Sequence, residues 1–364
     1  MSETANLHDL VQSRIDIFLA SREPILAQVG ADLAPLSAFS RDFLSGGKRF
    51  RASFCYWGWN SVSTAPGDDE NGLAAVVSVA GALEIFHAAA LIHDDIIDNS
   101  DTRRGAPAAH RRFESLHRES GWDGDGDPYG RAAAILLGDL LLGWSDELLD
   151  EGLASAAQPA RLAARAEFVR MRTEVTAGQY LDILEERAWR SHPEGEQLAR
   201  AEQVLTYKSA KYSVESPLAI GALLAGGSEQ QVAALRDFGL PLGIAFQLRD
   251  DLLGVFGDSD VTGKPSGDDL LEGKRTVLIA LARTALPATA RRIVDELLGD
   301  PNLTAEQISS LQATIRESGA VGKVESMIAE NVERATNALQ GADLSDEATA
   351  RLLSLAEAVT RRTY

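Results

Sequence analysis

Three aspartates at helical spacing are the first residues along the chain whose arrangement indicates chemistry. The segment LIHDDIIDNSD contains Asp94, Asp95 and Asp98, a D-D-x-x-D pattern. Residues i and i+4 share one face of a helix, so Asp94 and Asp98 can hold a divalent cation between their carboxylates. Asp95 points about 100° away around the helix and is cast as a flanking ligand. Like charges at this spacing, near a helix C-terminus, destabilise the helix, so the pattern favours a metal site over a solvated helix end.

A second acidic pair lies in the segment FQLRDDLLG, where Asp250 and Asp251 stand between apolar residues. Two acidic helices facing each other would hold two or three magnesium ions. Magnesium bound by a few carboxylates completes its coordination with water and substrate phosphate, so the implied ligand is a diphosphate. The chain carries 54 acidic and 35 basic residues, a net charge of -19. This balance excludes a nucleic-acid partner, whereas bound cations allow an anionic substrate.

Basic residues accompany both acidic segments. Arg103 and Arg104 follow the first, and guanidinium groups suit bidentate phosphate binding. The segment SGGKRFRASF places Lys48, Arg49 and Arg51 after two glycines at a helix start, where backbone amides can approach an anion. His87, two helical turns before Asp94, can donate to a second anion. Further basic residues that could close over a phosphate lie later in the chain: Lys208, Lys211, Lys264 and Lys274.

Through most of the chain, apolar residues recur with the 3.6-residue period of an α-helix, and such helices must position these side chains. No strand-like alternation of apolar and polar residues stands out. We therefore expect the all-α fold class. Capping signals at Ser228 and Thr304 support two of the helix starts. No break is long enough for a flexible linker, so we expect one domain over 1–364. The predicted helices span 5–29, 35–44, 49–62, 70–100, 107–118, 129–151, 158–190, 196–209, 211–226, 228–256, 274–284, 286–298, 304–318, 320–339 and 344–360.

The single cysteine, Cys55, forms no internal disulfide and fits a reducing compartment. The first ten residues lack the features of a signal peptide. The most apolar stretch, Gly72 to Phe86, is shorter than the roughly 20 residues that a membrane helix needs. We therefore expect a cytoplasmic protein without stable membrane insertion.

Taken together, the order and spacing of these motifs resemble the trans-isoprenyl diphosphate synthases. The similarity covers about Leu44 to Thr276 and includes GGKR, HDDIID with RRG after it, K-S at 208, FQLRDD, GKPSGDD and GKRT. The resemblance implies an all-α bundle of long helices around a central cavity and a homodimer. It also implies magnesium-dependent condensation of an allylic diphosphate with isopentenyl diphosphate.

The resemblance further implies residue roles. Asp94 and Asp98 would ligate two magnesium ions on the allylic diphosphate and Asp250 a third, with Asp95 and Asp251 in support. The residues implied for the allylic diphosphate are Arg103, Lys208 and Lys264, with Lys274 nearby; those for isopentenyl diphosphate are Lys48, Arg51, His87 and Arg104; Ser209 and Gln247 would line the reacting region. The chain departs from the family at Gly254, where an aspartate is common, and at Ser209, where threonine is usual.

Product length in the family depends on side chains just before the first acidic motif. Ala89 and Ala90 are small where a farnesyl synthase usually has an aromatic residue, and Phe86, a turn further back, is a candidate floor of the tunnel. These residues favour a geranylgeranyl product of twenty carbons over farnesyl or longer chains. A class I terpene cyclase would not need Lys48, Arg51 and His87, and a non-catalytic regulatory subunit typically lacks acidic ligands that are present here.

Overall fold

The computed structural model describes residues 3–63, 69–257 and 266–360, with side chains from residue 7 to residue 358 in those ranges. Lys264 therefore lies outside the described residues. The described chain is helical apart from one small hairpin, as the sequence predicts. Its elements are α1 (Glu3–Val29), a 3-10 turn (Ala31–Leu33), α2 (Ala34–Leu44), α3 (Phe50–Asn60), α4 (Glu70–Ile97), β1 (Thr102–Arg103), β2 (Ala106–Pro107), α5 (Ala109–Glu119), α6 (Gly126–Leu153), α7 (Gln158–Ala188), 3-10 turns (Trp189–Ser191 and Glu194–Glu196), α8 (Gln197–Val204), a π-helix (Leu205–Glu215), α9 (Ser216–Leu224), α10 (Glu229–Phe256), α11 (Asp268–Glu272), α12 (Val277–Ala285), α13 (Ala288–Leu297), α14 (Ala305–Glu317), α15 (Ala320–Ala338) and α16 (Asp346–Thr360).

The chain forms two compact units, each with its own buried apolar core. The first unit comprises Met1–Arg165 and Ile220–Gly227, and the second comprises Ala166–Ala219 and Ser228–Tyr364. The prediction of a single domain over 1–364 stays a prediction.

Helix α4 is the central element of the first unit, where α1, α3 and α6 pack around it. It is apolar on nearly all sides, which is the pattern of a helix buried in a core. Its first turn is capped by Asp69, whose Oδ1 accepts from the backbone N–H of Gly72 at 2.8 Å. Among the described residues it is the one helix long and apolar enough to cross a membrane, and 83% of its most apolar window is buried inside the protein.

Helix α10 has the same place in the second unit, packed against the π-helix and α15. The helix start predicted at Ser228 is confirmed, and the structure closes it with a capping box: Ser228 Oγ accepts from Gln231 N at 3.2 Å, and Gln231 Oε1 accepts from Ser228 N at 3.0 Å. Leu248, Leu252 and Val255 on its buried face are fully enclosed. The core of this unit thus immobilises the helix that carries the second acidic pair.

The π-helix Leu205–Glu215 replaces a predicted break between two helices at residue 210. Its wider turn brings its backbone against neighbouring helices at three glycines. A Cβ on Gly178 of α7 would overlap Lys208 N, and a Cβ on Gly243 of α10 would overlap Ala210 O. A Cβ on Gly239 would lie 2.8 Å from the Cα of Glu215. The sequence alone does not reveal this segment because its partners are distant in the chain.

Helix α4 ends three residues earlier than the sequence predicts. Asn99 has φ 55°, and Ser100 N donates to Asp95 O at 2.9 Å, which closes the helix with a Schellman motif. A hairpin follows, in which Arg103 pairs with Ala106 across a two-residue turn. Arg104 and Gly105 at that turn have φ 54° and 74°, the left-handed values that a type I′ turn requires.

Candidate active site

The first acidic motif lies at the C-terminal end of α4. Asp94 and Asp98 are half-buried, and Asp98 is the C-cap, its backbone N–H donating to Asp94 O at 2.8 Å. Asp95 is completely buried. Two carboxylates that are one turn apart and partly accessible suit a hard cation such as Mg²⁺, which prefers oxygen ligands.

Arg131 of α6 stabilises this helix end. Its guanidinium donates to Asn99 Oδ1 at 2.9 Å and to the carbonyl of Ile96 at 3.3 Å. Asp127, one turn earlier on α6, accepts from Arg131 Nε at 3.1 Å and orients it. A cation at a helix C-terminus interacts favourably with the macrodipole, so Arg131 counteracts the three aspartates gathered there. The Asp127–Arg131 spacing of i, i+4 is a sequence signal for this pair that the motif analysis missed.

Arg103, on β1, lies against the same aspartates. Its Nε donates to Asp95 Oδ1 at 2.9 Å, and its Nη2 donates to the same oxygen and lies 3.7 Å from Asp94 Oδ2. The guanidinium thereby compensates the buried charge of Asp95, since an ion pair that loses one partner in a protein interior is strongly destabilised. Contact with substrate or metal by Arg103 and Asp95 stays a prediction.

Arg104 reaches the G-G-K-R loop from the hairpin turn. Its two terminal nitrogens lie 3.3 Å from the position that a Cβ of Gly47 would occupy. Gly46 and Gly47 have φ 68° and 87°, left-handed values that glycine adopts readily. With these values the loop backbone lies directly against the guanidinium of Arg104. The structure therefore brings Arg104 together with the loop that holds the exposed Lys48.

Arg49, expected with Lys48 and Arg51 near an anion, forms a buried ion pair that fixes that loop. Arg49, with φ 49°, is buried and donates to Leu44 O and Gln12 Oε1. Its NH1 lies 3.4 Å from Glu84 Oε2, and Glu84 Oε1 accepts from Ala52 N at 3.1 Å. A glutamate inside an otherwise apolar run of α4 is the sequence signal that could have indicated this partner.

His87 lies half-buried on α4 among positive charges. Burial lowers the pKa of its imidazole well below the ordinary value, and the nearby guanidinium groups of Arg51, Arg104 and Arg103 lower the pKa further. The ring is therefore neutral at physiological pH and can donate one N–H without adding to the positive charge. Arg51, His87 and Arg104, predicted separately as anion ligands, thus lie close enough to interact.

The second acidic pair is part of a hydrogen-bonded chain in the second unit. Ser209 Oγ donates to Gln247 Oε1, and Gln247 Nε2 donates to Asp251 Oδ1 at 2.7 Å. Burial raises the pKa of Asp251 to about 7, and the charges of Asp250 and Asp182 raise it too. Asp250 is half-buried on the adjacent face. Asp250 is thus the more available ligand, whereas Gln247 connects α10 to the π-helix and Asp251 accepts from Gln247 within α10.

Lys208 and Lys274 share one buried carboxylate. Asp182 of α7 receives a hydrogen bond from Lys208 Nζ, and Lys274 Nζ lies 3.6 Å from the same Oδ2. The motif analysis missed Asp182 because it stands alone in its helix. Two predicted phosphate ligands, far apart in the sequence, are therefore held side by side in the second unit.

Magnesium fits the chemistry of these donors. Across residues 3–63, 69–257 and 266–360, no three His, Cys, Asp or Glu side chains converge closely enough to hold a metal ion by themselves. Magnesium typically uses one or two carboxylates with water and substrate phosphates, and the pair Asp94 and Asp98 meets that description. Asp250 belongs to the other compact unit, so the facing arrangement of the two acidic helices stays a prediction.

The residues predicted to set product length lie on the buried side of α4. Ala89 is completely enclosed, Phe86 is 3% exposed, and Ala90 is half-buried. The phenyl ring lies about one turn before the two alanines, toward the N-terminus of the helix. This order along α4, Phe86 first and then the two alanines, is the one expected if Phe86 is the floor of the product tunnel and the alanines leave the tunnel open above it.

Comparisons with known proteins identify the family to which the chain belongs. The family model for polyprenyl synthetase matches residues 34–315. A short chain isoprenyl diphosphate synthase of Methanothermobacter thermautotrophicus is 30% identical over 340 residues, covering 92% of this chain and 93% of that protein. A geranylfarnesyl diphosphate synthase of Natronomonas pharaonis is 31% identical over 346 residues, covering 93% and 84%.

A solved structure is similar over nearly the whole chain. The geranylgeranyl pyrophosphate synthase of Corynebacterium glutamicum, crystallised with isoprenyl diphosphate and magnesium, is 39% identical, with a TM-score of 0.92. The alignment covers 98% of this chain and 99% of that one. The all-α fold of the isoprenyl synthases, expected from the motifs, is confirmed. With its paired aspartates on α4 and the basic residues around His87, the chain belongs to the polyprenyl synthetase family and is a trans-prenyltransferase of the prenyl diphosphate synthase type.

Proposed function

We propose that the protein makes geranylgeranyl diphosphate by head-to-tail condensation of isopentenyl diphosphate with allylic diphosphates. The observation that carries this proposal is the gathering of Arg51, His87 and Arg104 in the unit that also bears Asp94 and Asp98. A cyclase, which takes one diphosphate, has no use for a separate cationic cluster.

In this proposal the first unit binds parts of both substrates. Arg51, His87, Arg104 and the exposed Lys48 bind isopentenyl diphosphate. The arginines supply charge-assisted hydrogen bonds, and the neutral imidazole supplies a single N–H. Asp94 and Asp98 hold the cations on the allylic diphosphate. Arg103 donates to that diphosphate from beside them while continuing to neutralise Asp95.

The second unit supplies the remaining ligands. Lys208, Lys264 and Lys274 bind the allylic diphosphate, and Asp182 keeps Lys208 and Lys274 next to each other. Asp250 binds a third magnesium ion with support from Asp251. Ser209 and Gln247 line the region where the new carbon–carbon bond forms.

The reaction breaks the allylic C–O bond to give a carbocation and diphosphate. The double bond of isopentenyl diphosphate attacks the cation, and a proton is then lost, with the departing diphosphate as the base. Magnesium, when bound, neutralises the leaving diphosphate. Arg103, Lys208 and Lys264 add positive charge at the oxygens where negative charge develops, which is electrostatic stabilisation of the transition state.

A twenty-carbon product follows from the side chains on α4. Ala89 and Ala90 leave room for a tail longer than farnesyl, and Phe86 closes the tunnel a turn deeper. A relative named geranylgeranyl pyrophosphate synthase at 39% identity supports this length. Relatives named short chain isoprenyl and geranylfarnesyl diphosphate synthase make farnesyl and longer products the alternatives.

The experiment sizes the product. The purified protein is incubated with Mg²⁺, labelled isopentenyl diphosphate and, separately, dimethylallyl, geranyl or farnesyl diphosphate, and the dephosphorylated alcohols are separated. We expect geranylgeraniol as the main product. Phe86→Ala should lengthen it and Ala89→Phe should shorten it. Asp94→Ala should lower the rate by about 100-fold or more with unchanged circular dichroism, because a metal ligand and not a core contact is lost.

The controls separate chemistry from folding and from other reactions. Asp123→Ala removes an exposed carboxylate of the same unit and should keep full activity. Farnesol or much longer alcohols from the wild type would contradict the assigned length alone. Diphosphate release without isopentenyl diphosphate would indicate a cyclase, and no elongation with any primer would indicate a regulatory subunit.

A further inference from the structure

At residue 254, where the second acidic motif lacks an aspartate, a carboxylate from another helix of the second unit occupies the place of the missing side chain. Gly254 stands where an aspartate is common in the family. A Cβ built on Gly254 would overlap the carboxylate of Asp269, with Asp269 Oδ1 2.7 Å away and its Cγ and Oδ2 nearer still. The carboxylate of Asp269 therefore occupies the volume into which an aspartate side chain at residue 254 would extend.

That volume lies on the same face of α10 as the predicted ligand Asp250. Residues 250 and 254 are i and i+4, so their side-chain directions share a face one helical turn apart. Both residues are half-buried, as is Asp269. The carboxylate of Asp269 thus lies at a position one helical turn from Asp250, the same spacing that separates Asp94 from Asp98 in α4.

Contacts around α11 hold Asp269 in this place. Leu270, the next residue, is buried, and its carbonyl accepts from Gly299 N at 2.9 Å. Gln312 Nε2 donates to Val255 O at 2.7 Å and lies 3.2 Å from Ser266 Oγ, so it ties the start of this segment to the end of α10. Asp269 is therefore set against Gly254 by packing on both of its sides.

We propose that Asp269 supplies the carboxylate that the second acidic motif lacks at Gly254, and that Asp250 and Asp269 act as a pair toward magnesium and its bound water. The inference rests on the proposed function, which places a magnesium ion at Asp250. Magnesium is held by one or two carboxylates, directly or through its water, so a carboxylate need not come from the same helix. Glycine at 254 leaves room for this carboxylate, because a side chain there would displace it.

The test measures magnesium binding by calorimetry, with Mg²⁺ titrated into the full-length protein saturated with inorganic pyrophosphate. Asp269→Asn preserves shape and removes charge, and should weaken the apparent Mg²⁺ affinity by about 10-fold or more. Asp268→Asn, the adjacent carboxylate of α11, is the matched control and should bind like the wild type. The double variant Gly254→Asp with Asp269→Gly moves the carboxylate onto α10 and should recover most of the lost affinity.

Each outcome decides the proposal. Unchanged Mg²⁺ affinity in Asp269→Asn, or an equal loss in Asp268→Asn, would overturn it. A folded double variant that stays as weak as Asp269→Asn would overturn it too, and if the double variant does not fold, the two single variants decide. Asp250→Asn separates failure of this inference from failure of the proposed function. If Asp250→Asn loses Mg²⁺ affinity and Asp269→Asn does not, only the inference about Asp269 fails. If Asp250→Asn loses no Mg²⁺ affinity, the proposed metal site at Asp250 fails.

Discussion

At the residue scale, Arg103 combines an observed ion pair in the protein interior with a predicted role in substrate binding. It compensates the fully buried Asp95 and also lies 3.7 Å from Asp94. Removing a partner from a buried ion pair typically costs about 3 to 5 kcal/mol. Loss of activity in an Arg103 variant therefore reports on substrate binding only if the stability of the variant is measured as well.

His87 gives a prediction at the same scale. Its folded-state pKa lies well below 6.5, whereas in the unfolded chain the imidazole has its ordinary pKa. Below pH 6.5 the unfolded chain therefore binds a proton that the folded chain does not, and stability falls as pH falls. The slope from this single group is at most about 1.4 kcal/mol per pH unit.

The measurement compares the thermal midpoints of the wild type and His87→Gln between pH 7.5 and 5.5. We expect the midpoint of the wild type to fall more steeply, so that the variant gains about 1 kcal/mol relative to the wild type by pH 5.5. Parallel curves would contradict a neutral, proton-excluding His87. Magnesium is left out so that bound ligand does not alter the comparison.

At the element scale, the π-helix positions residues that an α-helix would misplace. It carries Lys208 toward Asp182 and Ser209 toward Gln247. Long π-helices are rare and are often found at functional sites. The glycines that admit it, Gly178 and Gly243, are thus structural requirements of the residues predicted to bind phosphate.

Gly243→Ala tests this. Its Cβ would overlap Ala210 O and lie 2.8 Å from the Cα and the carbonyl carbon of Ala210, so the backbone next to Ser209 must move. We expect lower activity and a lower melting temperature, measured by the product assay and by circular dichroism. Gly322→Ala in α15 has open space at its Cβ and should stabilise the helix by up to about 1 kcal/mol without loss of activity. Equal behaviour of the two variants would contradict the positional role.

Most helices were predictable because their apolar periodicity and caps are local signals. The predicted 158–190 is observed as Gln158–Ala188, and 320–339 as Ala320–Ala338. The π-helix was missed because it depends on glycines of other helices, and the hairpin because strands of two residues leave no alternating pattern. Asp182 and Glu84 were missed for a related reason: a lone buried acid has no motif, and its basic partners lie far away in the sequence.

At the scale of the whole molecule, the exposed face of α6 is the candidate interface for the homodimer that the sequence predicts. Ile135 and Leu136 are 44% and 65% exposed and stand next to each other in the chain, and contiguous exposed apolar surface is typical of interaction sites. Gly143, two turns further along, has open space beside its Cα, so another helix could approach closely. A stable interface buries about 800 Å² per partner, more than a single exposed leucine provides, so the whole face must take part.

Leu136→Arg therefore should convert a dimer of about 78 kDa, twice the chain mass of 39.0 kDa, into a monomer, as measured by light scattering. A charged guanidinium at the centre of an apolar interface must lose its water. Because a two-fold interface contains the same residue from both copies, this desolvation cost is incurred twice. Ile17→Arg on α1 is the matched control, because Ile17 is 64% exposed in the same compact unit but lies on another helix. The control should remain a dimer. A control that dissociates as Leu136→Arg does would contradict an interface centred on α6. A wild type that is monomeric at micromolar concentration would contradict the dimer itself, and the active species would then be a single chain.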